Sequence, residues 1–362
     1  MTHFQTTLKI FRKLFLIFLQ QSPMSYDGNE AVDAVSRIPV TVVTGFLGAG
    51  KTTLLQDVIR KSPERIAIIQ NEVSEEMGIE SAVLTDSEGR IIPDFYELPN
   101  GCICCTSKDD LVTTLENIVN LGRERIDAIV VETTGIADPC TVVEVFWLDD
   151  ELTSSLFLDG VVTVVDCMHF PDVIRSDHFM EHSEIGRKQV AIADRILINK
   201  TDLVTPETVS KVEELIRSLN PDADIFSTSL SNVDPSWVLD IGSYTTRSNL
   251  SHHTPHMIST VDHVYLKFPS NLKFEKSTME SFLGDMLWDS ADIYGNIYRS
   301  KALFSGINNT WYSIQSVGAL FEIVEQTSLN RSDQEFSRFL FIGTRLNEKL
   351  IRDKLMTITT SS

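Results

Sequence analysis

The sequence is short of positive charge: 31 Lys and Arg stand against 51 Asp and Glu, a formal net charge of −20 over 362 residues. A phosphate backbone would be repelled, which excludes broad nucleic-acid binding as a function class, although such a balance says little about fold. Cysteine is scarce and its pattern is unpaired. The five are Cys102, Cys104, Cys105, Cys140 and Cys167. An odd number with three of them packed together argues against a disulfide framework and for reduced thiols in an intracellular compartment. A long apolar run is missing from the basic N-terminal stretch. Leu14–Leu19 supplies six such residues, too few to cross a bilayer and short for a signal-peptide core. Residues 1–36 read as a poorly ordered leader and linker. The expected location is cytoplasmic, with no membrane partner; the basic leader leaves a nuclear or mitochondrial one open.

What is present is ordinary in bulk, 42% apolar and 23% charged, and the length suits two domains. The distinctive stretch is Gly45-Phe46-Leu47-Gly48-Ala49-Gly50-Lys51-Thr52-Thr53. It follows a β-rich run from Ile38 to Thr44 and precedes a helical pattern from Leu54, the strand–loop–helix setting that a phosphate loop requires. Glycines let successive N–H groups wrap a phosphate, and the helix N-terminus adds positive field. Gly45, Gly48, Ala49, Gly50, Lys51, Thr52 and Thr53 are therefore the candidate phosphate-binding residues. Lys51 would reach the outer phosphates and the Thr52 hydroxyl would hold Mg²⁺. A nucleoside triphosphate site follows.

Downstream, the apolar run Ile126–Val131 ends in Glu132-Thr133-Thr134-Gly135. In phosphate-loop NTPases an acid at that point holds Mg²⁺ and the glycine amide meets the γ-phosphate, giving Glu132 and Gly135 those roles. Lys51, Thr52 and Glu132 are the candidate catalytic residues. Small GTPases orient the attacking water with a Gln directly after that glycine; here the residue is Ile136, so slow intrinsic hydrolysis is expected. A further apolar strand pattern ends in Asn199-Lys200-Thr201-Asp202. Asp202 can accept from both guanine donors that adenine lacks, Lys200 would lie along the base and Asn199 would tie loops together, so GTP is preferred over ATP.

Cys102, Cys104 and Cys105 form a Cys-x-Cys-Cys turn. Thiolates favour soft or borderline ions such as Zn²⁺, and three in one turn leave a fourth position to another ligand or to exchange. Glu72, in the acidic segment after the strand pattern 65–70, is a chemically acceptable fourth ligand; buried thiols or a redox pair are the alternatives. Cys140 and Cys167 sit in apolar surroundings and read as core. His252, His253, His256 and His263 fall in or beside a Ser/Thr/Asn/His-rich stretch read mainly as solvated linker, and His178 and His182 are spaced for one helical face.

Strand and helix patterns alternate to about Ser229, which implies a doubly wound, mostly parallel α/β sheet over residues 37–230. Residues 231–257 read as linker. Residues 258–362 change pattern, with an alternating strand over 260–268, further strand candidates over 297–304, 310–316 and 319–324, a helix over 276–287, and the closing stretch 338–343 before a helix over 347–355. That is a smaller α+β domain with an antiparallel sheet and no catalytic constellation.

Together these residues resemble the CobW-type GTPase metallochaperone family from Ile38 to Leu355. The resemblance is carried by the phosphate loop, Asn71-Glu72, Gly101-Cys102-Ile103-Cys104-Cys105, Glu132-Thr133-Thr134-Gly135-Ile136-Ala137-Asp138-Pro139, Asn199-Lys200-Thr201-Asp202 and Phe341-Ile342-Gly343. Phe146–Leu152 and Asp159–Val162 are most similar to the eukaryotic zinc-regulated GTPase metalloprotein activator branch. The resemblance implies GTP hydrolysis coupled to Zn²⁺ delivery to a client metalloenzyme, in that branch a type 1 methionine aminopeptidase; self-association is left open. The alternative is a GTP-dependent regulatory switch or cofactor-assembly protein in which the metal is structural or is cobalt or nickel. Two departures stand out. Asn29–Val35 replaces the branch's Cys-Pro-Glu-Leu-Val-Pro motif, and Val73-Ser74 follows Asn-Glu where the family has an aromatic and glycine.

Overall fold

A computed structural model describes residues 37–70, 84–85, 91–92, 96–97, 108–120, 126–148, 155–175, 180–244, 261–307, 309–327, 329–330 and 333–361. The leader, Glu72, Cys102, Cys104, Cys105, His178, His252, His253 and His256 lie outside them, as does the His182 side chain. No described helix is long and apolar enough to cross a membrane.

The first half builds one sheet from β1 (Ile38–Thr44), β2 (Ile66–Gln70), β3 (Tyr96–Glu97), β4 (Ala128–Glu132), β5 (Leu156–Asp166), β6 (Arg195–Asn199) and β7 (Asp224–Ser227). The spatial order is β3-β2-β4-β1-β5-β6-β7, and every pairing is parallel. Strands covered on both faces must be apolar almost throughout, which is why β4 is buried at every position. Among the helices are α1 (Lys51–Lys61), α2 (Lys108–Asn120), α3 (Pro139–Val143), α4 (Met180–Ala191) and α5 (Pro206–Leu219). On α1, Leu54, Leu55 and Val58 are buried against the sheet, each worth roughly 1.5–3 kcal/mol of apolar transfer. Pro63, which lacks the N–H a further turn would need, follows the α1 C-cap Ser62.

Residues 231–257 do not all behave as linker. Val233, Val238 and Leu239 are buried in the same cluster as α1, and Ser243 N donates to Asp159 O at 2.9 Å. Burial against α1 outweighs the polar composition of this stretch, so residues 231–244 complete the first half rather than leave it.

The second half forms the antiparallel sheet β8 (Asp262–Pro269), β9 (Asn296–Ser305), β10 (Trp311–Val317), β11 (Leu320–Gln326) and β12 (Phe336–Thr344), in the order β8-β12-β9-β10-β11. Helices α6 (Lys276–Gly284) and α7 (Glu348–Thr357) accompany it. Two short strands, Leu272–Phe274 and Thr359–Ser361, pair antiparallel; their length gave no periodic signal. The period of two decides what each face touches. Along β12, Phe339 and Phe341 join the core under α6 and α7, whereas Leu340 and Ile342 join the core of the parallel sheet. Residues from Arg37 onward accordingly form one compact unit.

Candidate functional site

The loops after β1, β4 and β6 meet at the C-terminal edge of the parallel sheet, the place where ligands bind in open α/β folds. The chain turns at Gly50 with φ 107°, a backbone that side chains resist. A Cβ there would also lie 2.4 Å from Asn199 Nδ2. Gly50 has no side chain to cap α1, and the first turn of α1 carries no acid, so its leading N–H groups suit an anion. Lys51, 8% exposed, folds back and donates to Gly45 O at 2.8 Å and Phe46 O at 3.3 Å. Thr53 is exposed and Ala49 fully buried.

Thr52 Oγ1 donates to Glu132 Oε1 at 3.1 Å. Glu132 ends β4 and is buried. A hydroxyl and a carboxylate side by side are the hard oxygen donors that Mg²⁺ takes, and their chemistry fits that ion. Gly135 lies against the phosphate loop, where a Cβ would come within 2.3 Å of Leu47 N. The approach is possible only without a side chain.

Asn199 joins three segments. Its Nδ2 donates to Ala49 O at 2.9 Å and to Ser231 Oγ at 2.8 Å, and its Oδ1 accepts from Ser231 N at 2.8 Å. Ser231 Oγ in turn donates to Gly50 O at 3.0 Å. Lys200, at φ 62°, donates from Nζ to Asp166 Oδ2 at 2.7 Å, and the His169 ring stands 2.9 Å from the same oxygen. Burial alone would push the Asp166 carboxyl up, but the bonds from Lys200 and His169 hold it below the usual carboxylate range. Asp202 is exposed at the mouth of this edge.

The structure thus brings Gly45, Gly48, Ala49, Gly50, Lys51, Thr52, Thr53, Glu132, Gly135, Asn199, Lys200 and Asp202 to one edge; the proposed zinc ligands lie outside the described residues. Sequence reasoning passed over Ser231 and Asp166. Asp166 carried the same signal as Glu132, an acid closing an apolar strand at its C-terminal end; Ser231 carried none. Cys140 and Cys167 are buried thiols, and burial pushes both up in pKa, as expected of inert core residues. His263 stands in β8, where burial pushes its imidazole down.

Residues 39–227 match the model of the CobW/HypB/UreG nucleotide-binding domain, and residues 265–359 that of the cobalamin synthesis protein cobW C-terminal domain. The chain is 34% identical to zinc-regulated GTPase metalloprotein activator 1 of Schizosaccharomyces pombe, over 91% of this chain and 87% of that protein. It is 29% identical to the zinc chaperone YjiA of Escherichia coli, over 87% and 96% respectively. The crystal structure of Zn(II)-bound YjiA GTPase from E. coli superposes with a TM-score of 0.67 at 26% identity, covering 89% of this chain and 99% of that one.

Proposed function

The chain belongs to the CobW/HypB/UreG family, and from that premise we propose that it is a GTP-hydrolysing zinc chaperone whose nucleotide edge and thiol turn sense each other. GTP is the substrate, zinc the cargo, and a client metalloprotein the recipient. The finer reading makes that client a type 1 methionine aminopeptidase and the setting the cytoplasm. Cys102, Cys104, Cys105 and Glu72 would hold the zinc.

One observation carries this reading. β2 pairs with β4 so that Gln70 stands opposite Glu132, and with β3 so that Gln70 also stands opposite Glu97. The chain therefore leaves β2 towards Glu72, and β3 towards Cys102, at the same sheet edge as Glu132. Neighbouring strands lie about 4.8 Å apart. Glu72 follows Gln70 by two residues and Cys102 follows Glu97 by five. At a maximal reach of about 3.5 Å per residue, these short spacings permit the two ligand segments to meet beside Glu132.

In the reaction, Lys51 neutralises charge on the outer phosphates and the α1 N–H groups cradle them. Thr52 and Glu132 would hold Mg²⁺, which supplies further charge neutralisation when bound. The Gly135 amide reads the γ-phosphate, and Asp202 with Lys200 reads guanine. Ile136, 36% exposed, cannot orient water, so turnover is slow. Loss of the γ-phosphate releases the segments after β2 and β4, which alters the ligand set around zinc. Metal analysis of purified wild type beside Cys104→Ser tests the assignment. The expected result is bound zinc in the wild type and its loss in the variant; equal zinc in both would overturn the thiol site.

A further inference from the structure

Two contacts from outside the nucleotide site hold the loop that carries Gly135, and two more join Lys188 and α3 to the antiparallel sheet. Gln189 of α4 is almost wholly buried and donates from Nε2 to Gly135 O at 3.2 Å. The preceding residue, Lys188, donates to Asp138 Oδ2 at 2.9 Å, while the other Asp138 oxygen accepts from Cys140 N at 3.0 Å and caps α3. One helical turn thus grips both ends of the 135–138 segment. The Lys188 ammonium also lies 5.5 Å from the centre of the Tyr298 ring, and Tyr298 belongs to β9 of the antiparallel sheet. Finally, the turn between β10 and β11 packs on α3. A Cβ on Gly318 would fall 3.2 Å from Glu144 Oε1 and 3.5 Å from Cys140 Cβ, and Gly318 N donates to Tyr298 O at 2.9 Å.

We propose that Gln189 and Lys188 are positioning residues for the γ-phosphate-reading loop, and that the antiparallel sheet sets their position through Tyr298. The inference rests on the reading that Gly135 meets the γ-phosphate. Gln189 holds the Gly135 carbonyl, one peptide plane beyond the amide that must point at the phosphate, so its bond anchors the chain on the C-terminal side of that amide. Lys188 is shared between an acid on the loop and an aromatic face on the second sheet; displacing Tyr298 moves the ammonium and with it Asp138. Next to Tyr298, Arg299 anchors β9 to Asp194 and to the carbonyl of Ile192, just past the end of α4. β9 therefore cannot slide along α4 without breaking a buried ion pair. The antiparallel sheet acts here as the rigid support of the γ-phosphate-reading loop.

GDP lacks the phosphate that the loop reads, so a positioning role and a merely structural one separate cleanly. Affinities of the full-length chain for GDP and for a non-hydrolysable GTP analogue are compared in Tyr298→Leu, Tyr298→Phe and Lys188→Met, with a thermal melt of each. Tyr298→Leu and Lys188→Met should weaken analogue binding by about 3- to 10-fold, as expected for a partly desolvated cation–π contact, and lower kcat. GDP affinity should stay within about 2-fold, and Tyr298→Phe, which keeps the ring, should match wild type. The two losses should not add when combined. If Tyr298→Leu does not fold, Lys188→Met carries the test alone. Equal loss of GDP and analogue, or damage by Tyr298→Phe equal to that of Tyr298→Leu, would overturn the inference. A Cβ on Gly135 would press on the phosphate loop that holds both nucleotides, so hydrogen exchange of the wild-type Gly135 amide separates the layers instead. Slower exchange with the analogue than with GDP, without any effect of Lys188→Met on affinity, refutes only this inference, whereas equal exchange with both nucleotides refutes the reading beneath it.

Discussion

Arg299→Met tests how firmly the two sheets are joined. Arg299 is 2% exposed and Asp194 6%. The guanidinium donates to the Asp194 carboxylate and to Ile192 O, while Asp194 also accepts from Val161 N at 2.9 Å and lies 3.6 Å from Lys301 Nζ. Burial would push the Asp194 carboxyl up, yet Arg299 and Lys301 hold it below the usual range. Removing one partner of a buried pair typically costs 3–5 kcal/mol, since the other charge is left without compensation. Asp194 keeps Val161 and Lys301, so the lower end applies, about 3 kcal/mol. Asp194→Asn should cost a similar amount by stranding Arg299. The double variant strands neither member of the pair and leaves Lys301 with Asp222, so it should recover most of the loss, giving a coupling energy above about 1.5 kcal/mol. Urea unfolding reports it through Trp237 in the first half and Trp288 and Trp311 in the second. A loss under about 1 kcal/mol, or strictly additive single effects, would refute the claim that this pair joins the sheets.

Asn199→Ala should leave Ala49 O and Ser231 N buried without their partners, at roughly 1–3 kcal/mol, and appear as weakened binding of GDP and GTP alike in fluorescence titration. Asp166→Asn should weaken guanine nucleotides through Lys200 and have no further effect in a Lys200→Ala background; additive losses would count against it. Asp57, Asp166 and Asp194 are all held below the ordinary carboxylate value. Their stabilisation is full above the unfolded value near ~3.9 and is lost as pH falls through the lower folded values. Melting temperature should therefore drop as pH goes below about 4, and the drop should be smaller in Asp194→Asn. Asp202→Asn should relax guanine selectivity, seen as improved competition by xanthine nucleotides; unchanged selectivity would remove the base-reading role.

The nucleotide edge was legible because its chemistry needs particular residues at fixed intervals: glycines where the backbone wraps, Lys51 and Thr52 at the head of a helix, Glu132 closing an apolar strand. The first strand of the second sheet was legible from its alternation over Thr260–Phe268, whereas Phe339-Leu340-Phe341-Ile342 is apolar throughout because its two faces meet different cores. The contribution of residues 231–244 was not. Val233, Val238 and Leu239 follow neither a period of two nor of 3.6 and sit among polar residues, so only the burial against α1 reveals them. Lys188 and Gln189 were hidden for another reason. Polar residues on a helix read as a solvated face until the element packed against them is known, and that element comes from the far end of the chain.

The central claim is that zinc and nucleotide feel each other across the sheet edge. Zinc affinity of the wild-type chain, measured by competition with a chromophoric chelator in the GDP form and in the form bound to a non-hydrolysable GTP analogue, tests it most directly. The two affinities should differ by about 10-fold or more, with the same factor returned when analogue and GDP affinities are compared with and without zinc. Equal zinc affinity in the two forms would contradict it.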